Sequence, residues 1–149
     1  MTTLENLTTC KLCIDAKLES LQVAIDFISE QALLAECTNE CLWKIQLAAE
    51  EAIVNIIEHG YKKNPGTIQI SCSSSMGRDL CNFTLALSDT ALAFDPTQLK
   101  DSIPSHEHPG NIRGNGIKLM KNMMDEIHYA NIENKNVLTL KKTLSSCNS

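Results

Sequence analysis

The segment Leu42–Tyr61, LWKIQLAAEEAIVNIIEHGY, constrains this chain more than any other. At about 100° per residue, Leu42, Ile45, Ala49, Ile53, Ile56 and Gly60 fall on one side of a helix. Glu51, Asn55, Glu58 and His59 fall on the other, yet Leu47, Ala48 and Val54 flank them. A solvated face would carry more Lys and Gln. A carboxylate and a carboxamide one turn apart, among apolar neighbours, predict a partly covered pocket. Glu51 has the chemistry to take a proton from an attacking hydroxyl. Asn55 has a hard oxygen of the kind Mg²⁺ prefers. Glu-x-x-x-Asn also describes an ordinary amphipathic helix with a polar stripe, and spacing alone does not separate the two.

The flanking segments set the fold class. Leu7–Ala16 reads as a strand, and Lys17–Leu34 as a helix with Leu18, Leu21, Ile25, Ile28 and Ala32 at spacings of three and four. Thr38 or Asn39 is a cap for the next helix, which runs to Gly60, a residue suited to the left-handed position past a helix end. After the turn Lys62–Gly66, Thr67–Ser73 alternates Ile68 and Ile70 with polar residues; Met76–Asp79 then turns into a strand over Leu80–Ser88. A short helix is predicted after Asp95-Pro96, a mobile surface loop over Ser102–Arg113, and a helix over Gly116–Asp125. Ile127–Ile132 and Val137–Leu144 make a last hairpin around Glu133–Asn136. The order β-α-α-β-β-(α)-α-β-β predicts an α+β fold, a two-layer sandwich of a mostly antiparallel sheet with helices on one face, as a single domain over residues 1–149.

Charge narrows the function classes. Thirteen Lys and Arg against 18 Asp and Glu give a net charge of −5, and only Arg78 and Arg113 are arginines. This is not the footprint of a nucleic-acid binder, and no apolar run approaches a membrane span. The N-terminus lacks a basic head and an apolar stretch, so no secretory signal and a cytoplasmic location are expected. The seven cysteines are then expected to be reduced thiols, acting as small apolar side chains. His106-Glu107-His108 lacks further ligands for a metal. Met120, Met123 and Met124 read as core, and Trp43 as helix packing or interface.

Two further segments carry chemistry. Leu85–Pro96, LALSDTALAFDP, places Asp89 at the exit of an apolar strand, where a carboxylate can accept from an exocyclic amine. Asn111–Ile117, NIRGNGI, opens a helix with two glycines, leaving backbone N–H groups clear for phosphate. Each is weak alone, and a strand-end Asp is more often a turn former. In order and spacing, the segments EAIVNIIEHGY (51–61), SD with FDP (88–89, 94–96) and RGNGI with MDEI (113–117, 124–127) resemble the Bergerat-fold ATPases. Within them the chain is similar to the anti-sigma-factor serine/threonine kinases of bacterial partner switching, and the resemblance covers nearly its whole length. The given residues carry no dimerisation helix pair ahead of the domain, so a stand-alone kinase rather than a histidine kinase is expected.

That resemblance implies ATP and Mg²⁺ as ligands, with Glu51 as general base and Asn55 as the Mg²⁺ ligand. It implies that Asp89 binds the adenine amine and that Ser102–Arg113 is the ATP lid. Asn55, His59, Ala91, Phe94, Arg113, Gly114, Gly116 and Ile117 complete the implied nucleotide site. A STAS-domain antagonist would be phosphorylated and a sigma factor sequestered, with a homodimer as a further expected form and no nucleic acid or membrane partner. The alternative is a nucleotide-weak or inactive binding module that acts by sequestration only. One departure supports that alternative: the family's Asp-x-Gly is Asp89-Thr90-Ala91 here, which is expected to weaken nucleotide binding if positive φ or close approach of the base is required. Asn115 also stands where an apolar residue is usual.

Overall fold

Burial along the strands follows a period of two, and this decides the architecture. In the computed structural model, which describes residues 8–76, 81–92 and 116–144, strand β3 (Cys81–Asp89) buries every second residue from Cys81 to Asp89. Strand β5 (Lys135–Leu144) does the same through Asn136, Leu138, Leu140, Lys142 and Leu144. With β1 (Thr8–Asp15), β2 (Thr67–Met76) and β4 (Glu126–Ile132), they form a five-stranded sheet in the order β1-β2-β3-β5-β4. Every neighbouring pair is antiparallel. The buried face meets a layer of helices: α1 (Leu21–Leu34), α2 (Asn39–Asn55) and α3 (Gly116–Met123). This is the two-layer α+β sandwich that the segment order predicts.

Helix α2 is central because it packs against both α1 and α3. Its start is fixed by Thr38, whose Oγ1 accepts from the Cys41 N–H at 3.2 Å. Ile45, Ala48, Ala49, Ala52 and Ile53 are fully buried, with Phe83, Leu85, Leu87 and Leu140 of the sheet in the same core. Val54 and Asn55 are also buried, so the apolar surround of the Glu51–Asn55 face is real. Met120 and Met124 are buried and Met123 is partly so, whereas Trp43 is exposed.

Three expectations need correction. The second helix does not run regularly to Gly60: it is α-helical to Asn55 and then makes a π-helical turn over Ile56–Gly60, closed by Tyr61 N–H donating to Ile56 O at 2.9 Å. The extra residue in that turn moves the chain reversal past Gly60. The left-handed residues are therefore Lys62 (φ 54°) and Lys63 (φ 65°), not the glycine. The cysteines are also not all thiols: Cys81 is disulfide-bonded, while Cys10, Cys13, Cys37, Cys41 and Cys72 are free. The final hairpin turns more tightly than expected, on Glu133 (φ 52°) and Asn134 (φ 64°) alone. The helix after Pro96 and the loop 102–113 lie outside the described residues.

Tyr61 fastens the end of the π turn. It is buried, its hydroxyl donates to Thr67 O at 2.6 Å, and it accepts from the Thr90 N–H at 3.0 Å. Its ring also fills the space beside Gly66, where an added Cβ would lie 2.3 Å from Cε1. Gly66→Ala is therefore expected to lower stability by about 1–3 kcal/mol, read as a lower urea midpoint, whereas an unchanged midpoint would show that the ring yields freely. Burial, and then the neighbouring Cys10, push the Cys72 thiol up to about 12. At pH 8 such a thiol is about one part in ten thousand thiolate. Brief alkylation of the folded protein should mark the exposed Cys13 and spare Cys72, as peptide mass mapping would record.

Candidate nucleotide site

The same alternation that buries Leu85 and Leu87 brings Asp89 to the buried face at the end of β3. Asn136 lies directly opposite in the β3–β5 register and continues the buried row of Leu138 and Leu140. Two polar side chains thus enter an apolar layer, where each needs partners. Asp89 Oδ1 accepts from Asn136 Nδ2 at 2.9 Å and from the Ala91 N–H at 3.0 Å. Asn136 Nδ2 also donates to Ala91 O at 3.0 Å, and its Oδ1 accepts from Tyr129 Oη at 2.5 Å and Asn131 Nδ2 at 2.9 Å. The end of β3, the loop after it and the last hairpin are therefore tied into one polar cluster.

A cavity of about 20 Å³ lies over this cluster. Ala52, Asn55, Ile56 and Gly60 form one wall, Asp89 and Leu92 another, and Tyr129, Asn136 and Leu138 the third. This is room for a single water, so a larger planar ligand enters only if the rim moves. Leu92 is the exposed part of that rim.

Asn55 is 5% exposed, and its Nδ2 is buried with no hydrogen-bond partner among the described residues. Such an orphaned group is costly in an apolar surround and points to a ligand that completes it. The two ends of a carboxamide exchange by a half-turn, so the same position can present Oδ1 to a cation. In this respect the side chain fits a hard divalent ion. Glu51 stands one turn earlier on α2, half-buried, with Oε2 shielded from solvent.

The remaining site residues divide. Ala91 does not line the cavity with its side chain; it acts through its backbone N–H and C=O. Its φ is not positive, and its Cβ lies where a Cβ on Gly60 would meet it at 3.4 Å. The alanine that replaces the expected glycine is thus conformationally unstrained. His59 is exposed in the π turn and does not line the cavity. Gly116 and Ile117 form the first turn of α3. Phe94, Arg113, Gly114 and Asn115 lie outside the described residues. No group of three or more metal-ligating side chains occurs among the described residues, and no described helix is long and apolar enough to cross a membrane.

Asn136, Tyr129 and Asn131 are the residues sequence reasoning missed. The hairpin reading of Glu133–Asn136 places Asn136 in the turn. The signal for it is the period-two row Asn136-Leu138-Leu140, which puts a carboxamide on the buried face.

Residues 14–142 match the family model of the histidine kinase-like ATPase domain. No curated protein matches the chain. Because Ala91 is unstrained and its side chain is not among those that line the cavity, Ala91→Gly is expected to change ATP affinity less than about threefold by calorimetry. A gain of tenfold or more would mean that the methyl group obstructs the base.

Proposed function

The chain belongs to the histidine kinase-like ATPase domain family, and on that premise we propose that it is a protein serine/threonine kinase and anti-sigma factor. It would phosphorylate a STAS-domain antagonist and sequester a sigma factor, with ATP bound between α2 and the sheet. ATP binding itself follows from the family. The observation that carries the site assignment is Asn55, a buried carboxamide whose Nδ2 has no partner among the described residues, on the cavity that Asp89 also lines. The order of Glu51, Asn55, Asp89 and the glycine-flanked start of α3 supports the finer reading.

Asp89 accepts from the exocyclic amine of adenine. Asn55 would hold Mg²⁺, which would supply neutralisation of phosphate charge. Gly116 opens α3, whose first N–H groups are donors for phosphate oxygens. Glu51 takes the proton of the attacking seryl or threonyl hydroxyl; the new oxygen–phosphorus bond forms as the bond to ADP breaks. The added phosphate then weakens the antagonist's interface by charge and desolvation, leaving the kinase for its sigma factor.

A second reading, a module that binds partners with little use of nucleotide, is favoured by the small cavity and by the internal partners of Asp89 Oδ1. Calorimetry with ATP and ADP, in Mg²⁺ and in EDTA, separates the two, since no binding at millimolar nucleotide would leave only the second. The kinase reading predicts that Asn55→Ala removes at least about tenfold of the Mg²⁺-dependent affinity, near 1.4 kcal/mol. It predicts that Glu51→Gln keeps ATP affinity but slows phosphate transfer to a STAS-domain protein about 10²–10⁴-fold. Nucleotide binding without phosphoserine or phosphothreonine on any STAS-domain protein tested would defeat the kinase assignment.

A further inference from the structure

We infer that Asn136 is a positioning residue that fixes which oxygen of Asp89 meets the base, and thereby sets the preference for a purine with a 6-amino group. This rests on the reading of the cavity as a nucleotide site. Asn136 uses both amide hydrogens and both acceptor positions: Asp89 Oδ1 and Ala91 O on one side, Tyr129 Oη and Asn131 Nδ2 on the other. Its orientation is over-determined, because a flip would set its oxygen against the Asp89 carboxylate and the Ala91 carbonyl.

The consequence falls on Asp89. Its Oδ1 is taken by two donors, Asn136 Nδ2 and the Ala91 N–H, and its Oδ2 accepts no hydrogen bond among the described residues. Asp89 lines the cavity, so Oδ2 is the oxygen left for a ligand. An ionised oxygen with no hydrogen of its own takes a donor and repels an acceptor. A 6-amino purine satisfies it; a purine lacking that amine leaves it without a partner. Without Asn136, Oδ1 keeps one donor, the carboxylate is free to rotate, and selection between the two bases is lost. Contacts to the triphosphate are untouched.

The test compares ATP with purine riboside triphosphate, which lacks only the 6-amino group, by calorimetry in Mg²⁺. Wild-type protein is expected to prefer ATP by about tenfold or more. In Asn136→Leu the preference for ATP over the amine-free nucleotide should fall to about twofold or less, with the larger loss of affinity on ATP. Tyr129→Phe removes one oxygen from the far end of the chain of hydrogen bonds and should give an intermediate preference. It decides the matter if Asn136→Leu does not fold by circular dichroism. An undiminished preference in the folded variants overturns the inference. So does an equal loss of affinity for both nucleotides, which is the mark of a merely structural role. Wild-type protein that binds both nucleotides alike overturns it while leaving the nucleotide site standing; wild-type protein that binds neither overturns the site and the inference together.

Discussion

Two hydrogen bonds to Asp89 Oδ1, from Asn136 Nδ2 and from the Ala91 N–H, let a carboxylate stand inside an apolar layer. The strand period offers no alternative. If Leu85 and Leu87 face the helices, Asp89 faces them too, and a carboxylate there without donors would be strongly disfavoured. Asn136 and the Ala91 N–H supply the donors, and Asn136 is held in turn by Tyr129 and Asn131. The site is thus part of the packing of the sheet: its polar groups end the same rows of side chains that make the core.

The opposite wall depends on how α2 stops. A π-helical turn shifts the last residues of the helix by one position, and Tyr61 then spans from that turn to Thr67 and Thr90, one residue beyond Asp89. The wall carrying Asn55 and the strand end carrying Asp89 are therefore connected through a single buried phenol. A regular α-helix ending at a left-handed Gly60 would not place Tyr61 in this way.

Much of this was legible in the sequence. The apolar flanks of Glu51 and Asn55 exposed the buried face of α2, and alternation in Thr67–Ser73 and Leu80–Ser88 exposed the central strands. Asp89 was found because it follows an apolar strand. Asn136 was not, because it sits beside a turn where Asn is common, and its role depends on a strand 47 residues away. The π turn and the backbone role of Ala91 were also illegible. Both are set by tertiary hydrogen bonds, to which local propensity is blind. The disulfide at Cys81 ran against an expectation drawn from compartment rather than from geometry.

The central claim is that a purine nucleotide sits against Asp89 while its phosphates reach Asn55. A crystal structure with a non-hydrolysable ATP analogue and Mg²⁺ tests it most directly. The account requires the 6-amino nitrogen within hydrogen-bond reach of Asp89 Oδ2, the Asn136 contact to Oδ1 intact, and the Asn55 carboxamide on the divalent ion. A nucleotide lodged elsewhere on the chain, with the small cavity still closed beneath Leu92, would contradict it.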